Sequence, residues 1–171
     1  YANASVGWKN QLYLDVSARN DWSSTIHDAF FYPSASLSWI ATETLPWLKG
    51  DGSALSFLKL RGGWAEIGNA TTAYRNRAYY YLDTDGSFNG VAQIYKSTTY
   101  PNENLKPESI KTWEIGAEFG FLHDRLHLDV AYYKKTTTDQ ILNVTVPYST
   151  GYSSLLINAG EIQNKGVEIQ L

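Results

Sequence analysis

Glu114 and Glu118 stand four residues apart. On an extended strand that spacing puts both carboxylates on one face, the arrangement a glycosidase uses for its acid and its nucleophile or base. The same residues have a plainer reading, as wall charges that face Lys59 and Arg61 on a neighbouring strand. His123 and His127 share the spacing, but they straddle a turn and do not converge on one metal, and His27 is remote in sequence. Asp83-Thr84-Asp85-Gly86 opens like a calcium loop and lacks the downstream Glu at the required distance, so turn chemistry accounts for it. Arg61-Gly62-Gly63-Trp64 sits inside an alternating run with no helix after it, which excludes a phosphate loop. These residues therefore predict no enzyme, no metal and no cofactor.

The candidates for binding are aromatic. Tyr79, Tyr80 and Tyr81 are consecutive, with Tyr74, Tyr95 and Tyr100 nearby. Phenol rings cover C–H surfaces and offer a hydroxyl, which suits a sugar or a peptide. The alternative is that they pack on neighbouring loops or on a partner that covers them.

The elements that hold these residues are strands. Apolar residues alternate with polar ones over about 2–9, 11–19, 31–41, 57–66, 111–122 and 126–136, and again from near 162. One face carries Ala2 to Trp8, Leu12 to Ala18, Pro33 to Trp39, Leu58 to Trp64, Trp113 to Phe121, Leu126 to Tyr132, and Val167 to Leu171. The other carries Lys59, Arg61, Glu114, Glu118 and Asp129 among small residues such as Gly63, Gly116 and Gly120. A helical turn is expected in TETLPWLKG (42–50), with Thr42 or Thr44 as its cap.

Such alternation fits a soluble sandwich or a barrel in lipid. Connection lengths and aromatic placement favour the barrel. Lys9-Asn10-Gln11, 42–56 and His123-Asp124-Arg125 fall at one end of an up-and-down sheet, and the longer 20–30, 67–110 and 137–161 fall at the other. Outer-membrane barrels pair short periplasmic turns with long external loops in this way. Trp8, Trp39 and Phe121 sit near the short-turn end, and Trp64, Trp113 and Tyr132 near the long-loop end, as interfacial rings do. The run from Trp113 to Phe121 extends about 26 Å, or roughly 20 Å when tilted, close to the ~25 Å apolar band of such barrels.

Composition is consistent with this. The chain has 171 residues, 43 % hydrophobic and 15 % aromatic, with 13 Tyr, 6 Trp, no Cys and no Met. A net charge of −3 gives no reason to expect nucleic acid. Tyr1 shows no leader pattern, and the chain ends inside the alternating run VEIQL, so a piece of a longer protein is expected.

Five strings together resemble SusC/RagA-type TonB-dependent transporters of Bacteroidota. They are RNDWSST (19–25), FYPSASLSWI (31–40), LKLRGGWAEIGN (58–69), NENLKPESIKTWEIGAEFGFLHDRLHLDVAYYKKTTTDQIL (102–142) and PYSTGYSSLLINAGEIQNKGVEIQL (147–171). The resemblance implies an all-β fold of antiparallel up-and-down strands, about seven of an expected ~22 in a transmembrane barrel. It implies that 1–171 is a barrel segment from which the plug domain and the final strand are absent. It further implies import of glycans or peptides through the cell outer membrane. The implied partners are a SusD-like lipoprotein lid, the TonB complex acting through the plug, membrane lipid and the rest of the barrel. In that frame Lys59, Arg61, Glu114, Glu118 and Asp129 face the lumen. Trp8, Trp39, Trp64, Trp113 and Tyr132 mark the membrane interfaces, and Tyr79, Tyr80, Tyr81, Tyr95 and Tyr100 contact substrate or lid. Lys106-Pro107-Glu108 reads as structural, with Pro107 stiffening the entry to a strand. The competing function is a soluble carbohydrate-binding or adhesive β-sandwich.

Overall fold

A computed structural model describes residues 1–23, 29–49, 53–73, 75 and 77–171. His27 and Tyr74, the end of the RNDWSST string and Gly50 lie outside them. Among the described residues, seven strands form one antiparallel sheet: β1 (Ala2–Trp8), β2 (Leu12–Asp21), β3 (Phe30–Ile40), β4 (Leu55–Asn69), β8 (Glu108–Phe121), β9 (Leu126–Thr138) and β12 (Glu161–Gln170). Their spatial order is their chain order, so each strand pairs with the next up-and-down neighbour. The all-β expectation holds, and the strands run one to three residues past several of the expected ends, as in β4 and β8.

Register follows from alternation, because a one-residue slip would turn every apolar side chain to the other face. Val6 pairs with Leu14, Leu14 with Leu37, Leu37 with Gly62, Gly62 with Ile115, and Ile115 with Tyr132. All of these lie on one face. The interleaved row runs Ser5, Asp15, Ser36, Gly63, Glu114, Tyr133, Gly166.

Nothing among the described residues packs on the apolar face. Trp113, Ile115, Val167 and Ile169 remain 59 %, 64 %, 62 % and 69 % exposed. The accessible surface is 11921 Å², against about 8,400 Å² for a globular monomer of this mass. A sandwich would bury these residues against a second sheet about 10 Å away. The layer is single, which removes the sandwich as a fold for this chain.

The connections differ at the two ends. Lys9 and Asn10 take left-handed φ of 51° and 55° in the first tight turn. The second comprises 122–125, one residue more than expected, with Leu122, His123 and Asp124 all left-handed. The third holds a short helix α1 (Ala41–Thr44) and a 3-10 turn (Pro46–Lys49). The expected threonine cap is absent: the N-cap is Ile40, without a side-chain bond. Thr42 is buried and accepts from the Leu58 N–H at 3.4 Å, while Thr44 accepts from Trp39 Nε1 at 2.8 Å. Both hydroxyls are spent tying the turn to the sheet.

The long connections contain strands that alternation did not reveal. β5 (Tyr80–Phe88) and β6 (Val91–Lys96) form a hairpin around Asn89-Gly90. β7 (Thr99–Tyr100), β10 (Ile141–Thr145) and β11 (Ser154–Asn158) form a small sheet ordered β10-β11-β7, with β7 parallel to β11.

Candidate functional site: a charged wall and an aromatic loop cluster

On the polar face Lys59, Arg61, Glu114, Glu118 and Asp129 fall on three adjacent strands, while Asp15, Arg19 and Asp21 of β2 and Glu168 of β12 share that face. Alternation puts Lys59 and Arg61 on one side of β4, and register brings Lys59 opposite Glu118 and Glu118 opposite Asp129. Arg61 holds Asp129 with two bonds, Nη1 to Oδ2 at 2.6 Å and Nη2 to Oδ1 at 2.9 Å. Its Nε is 3.5 Å from Glu114, and Lys59 Nζ is 3.6 Å from Glu118. Each carboxylate of the expected pair is therefore matched to a cation of β4, an arrangement that ties neighbouring strands of the wall together. Gly116 makes room for the Arg61 guanidinium: a Cβ there would lie 2.9 Å from Nε.

The histidines stay apart in role. His127 Nε2 lies 3.1 Å from the Asp124 carbonyl, closing the turn. Among the described residues no group of three metal-ligating side chains occurs. In Asp83-Thr84-Asp85-Gly86, the Asp85 N–H donates to Asp83 Oδ1 at 3.1 Å, an Asx turn. The side-chain surroundings of Thr84 and Gly86 lie outside the described structure. Arg61 to Trp64 lie within β4.

The tyrosines form two clusters in the long connections. In the hairpin, Tyr79 meets Tyr81 edge-on at 4.8 Å, and Tyr81 stacks on Tyr95 at 5.0 Å. The Tyr79 and Tyr81 hydroxyls are 2.5 Å apart, and that bond holds the Tyr81 phenol above its ordinary pKa. Tyr80 stands 69 % exposed beside them. Tyr100 belongs to the other cluster, edge-on to Tyr152 at 4.9 Å, with Lys96 Nζ over the Tyr152 ring at 3.6 Å. The expected single group is thus divided, and Tyr152 and Lys96 join it. Their spacing in sequence carries no sign of this, because strand pairing brings them together.

The aromatics of the apolar face also pair. Trp64 lies directly opposite Trp113, with ring centroids 5.9 Å apart. Tyr132 is on the next strand, opposite Ile115. At the other end, Phe119 and Phe121 stack at 6.0 Å, and Trp8 and Trp39 flank Leu12 on the β1–β2–β3 register.

The string NENLKPES turns out to be a latch. Asn102 Nδ2 donates to the Leu156 carbonyl at 3.0 Å, and Leu105 is buried. Asn158 accepts from the Lys106 N–H and donates to the carbonyls of Lys106 and Asp139, at 2.7, 2.7 and 2.9 Å. Glu108 accepts from the Ile141 N–H and from Asn69 Nδ2, both at 2.9 Å. Pro107 immediately precedes β8, and the Asn158 side chain holds Lys106 just before it, a contact that only the fold reveals.

Comparison with known proteins bears on this geometry. Residues 1–171 match the family model described as TonB dependent receptor-like, beta-barrel. TonB-dependent receptor P26 of Formosa agariphila is 30 % identical over 176 aligned residues, which cover 100 % of this chain and 18 % of that protein. TonB-dependent receptor SusC of Bacteroides thetaiotaomicron is 33 % identical over 146, covering 82 % and 14 %. The chain thus spans less than a fifth of either relative. Among solved structures, the RagAB peptide importer in its closed-closed state superposes with a TM-score of 0.83 at 24 % identity, covering 98 % of this chain and 18 % of that one. The siderophore receptor PirA of Pseudomonas aeruginosa gives 0.64 at 17 %, covering 98 % and 29 %.

Proposed function

This chain belongs to the TonB-dependent receptor-like β-barrel family, and from that premise we propose that it forms part of the wall of an outer-membrane importer for glycans or peptides. The observation that carries the reading is the single-layer sheet, apolar and uncovered on one face, charged and internally ion-paired on the other. In a bilayer, strands must close into a barrel so that every backbone group is paired. β1 and β12 each leave an edge for further strands of such a barrel. The apolar face meets lipid, and Trp64, Trp113 and Tyr132 mark its outer boundary while Trp8 and Trp39 mark its inner one. The face with Lys59, Arg61, Glu114, Glu118 and Asp129 lines the lumen, against a plug or water.

The tyrosine clusters lie on the external side in this frame. Tyr79, Tyr80, Tyr81, Tyr95 and Tyr100 contact the substrate or a SusD-like lipoprotein lid. Energy comes from the TonB complex through a plug supplied elsewhere in the complete protein. The wall performs no catalysis; it positions loops and encloses the path.

Uptake by cells expressing the complete receptor tests this. Removing TonB should abolish uptake while leaving the receptor in the outer membrane. Unchanged uptake would instead indicate a passive pore.

A further inference from the structure

We propose that Lys111, Lys134 and Lys165 form a binding site for the phosphate groups of an outer-leaflet glycolipid. The inference rests on the membrane reading above. Lys134 is directly opposite Trp113 on one side and Lys165 on the other. It therefore shares the face of Trp113 and Tyr132, and it is the next residue on that face beyond Tyr132 toward the long-loop end. Lys111 is diagonal to Lys134, being opposite Thr136 while Lys134 is opposite Trp113. Side chains in such positions lie about 5 Å apart when opposite and roughly 7–8 Å when diagonal.

Two ammonium groups facing each other across strands repel, and a sheet gains nothing from keeping them so. Among the described residues neither Lys134 nor Lys165 makes an ion pair, and Lys111 has only Glu66, at 3.7 Å. All three are exposed. The row that runs from Glu66 through Lys111 continues to Thr136 and Gln163, which add a hydroxyl and an amide as donors on the same face, on the side away from the Glu66 carboxylate. An anion placed among these groups removes the repulsion.

The neighbouring surface selects the source of that anion. Trp113 lies level with Lys134, and Ile115, Tyr132 and Val167 form the next row beneath; all four are exposed and mainly apolar. A ligand with phosphate at one end and acyl chains at the other covers both regions at once, whereas free phosphate covers only the first. Basic clusters at a bilayer surface recognise anionic headgroups by this combination.

The test uses the complete receptor, purified in detergent and titrated by native mass spectrometry. The ligands are phosphorylated lipid A, the same lipid after dephosphorylation, and inorganic phosphate as competitor. Each lysine near a headgroup layer contributes enough that losing two should weaken binding about thirtyfold. That loss is expected for K134Q/K165Q with the phosphorylated lipid, and a comparable loss is expected for the wild-type receptor with the dephosphorylated one. K9Q, at the far end of the wall, should bind normally. Equal binding of the two lipids by the wild-type receptor would overturn the proposal without reference to any variant. So would full affinity in K134Q/K165Q, or displacement of the lipid by inorganic phosphate at equal concentration. A difference in gel mobility between unheated and heated receptor reports barrel assembly separately, so a failure of the membrane reading is distinguishable from a failure of the lipid site.

Discussion

Arg61 reaches across an entire strand to hold Asp129. It starts on β4, crosses Gly116 of β8, and grips the carboxylate on β9 with two bonds of 2.6 and 2.9 Å. Both side chains are about one-third exposed, at 31 % and 32 %. Alternation alone makes Asp129→Asn look nearly harmless; this contact predicts otherwise. The substitution should cost about 1 kcal/mol, the scale of a bidentate pair partly screened by water. Denaturant unfolding of the refolded complete barrel measures it, and a cycle with Arg61→Met should show coupling between the two sites.

Gly116 is the crossing point, and a side chain there must displace the guanidinium. Gly116→Val should destabilise by about 1–3 kcal/mol through overpacking and loss of the Asp129 bond. Because both changes break the same contact, Gly116→Val combined with Asp129→Asn should cost less than the sum. Strict additivity in the same unfolding assay would contradict this placement of Arg61.

Val130 is the neighbour of Asp129 in sequence and its opposite in orientation, paired with Ala117 and Ile169. Val130→Arg puts a cation at mid-depth of the face assigned to lipid and should cost ~2–4 kcal/mol. Assembly into the outer membrane should fall well below that of the Asp129→Asn variant. Equal assembly of the two would place both side chains in water.

Much of the wall was legible because its physics is local. Strict alternation from Trp113 to Phe121 and from Leu126 to Tyr132 admits only one facing. The loops were less so. Asn89-Gly90, with left-handed φ of 54° and 79°, is a hairpin signal that stood in plain view between Phe88 and Val91. β7 and β11 left no such trace, since a two-residue parallel pairing depends on chain brought from more than fifty residues away. Asn158 likewise has no local sign of its three bonds. The threonine-cap expectation failed because Thr42 and Thr44 had better partners in β4 and Trp39 than in their own short helix.

Asn158→Ala isolates the latch. It leaves the Lys106 N–H and the carbonyls of Lys106 and Asp139 without their present partner. A loss of about 1–2 kcal/mol confined to the loops is expected. Hydrogen exchange should quicken at 102–107 and 139–142 and stay unchanged in β8 and β9.

Tyr81 and Tyr95 stack in a hairpin whose two strands, among the described residues, form a sheet of their own. Replacing both with Ala should leave assembly intact. It should raise the substrate concentration for half-maximal uptake roughly tenfold, as loss of two ring contacts would.

The central claim is that one face of this sheet meets lipid and the other the lumen. Site-directed spin labelling through Trp113–Phe121 of the complete receptor in bilayers tests it most directly. Positions 113, 115, 117, 119 and 121 should be accessible to oxygen, and 114, 116, 118 and 120 to a polar nickel chelate or to neither reagent. An alternation of period two with the phases opposed is the predicted result. Nickel access at the odd positions, or no alternation, would contradict the account.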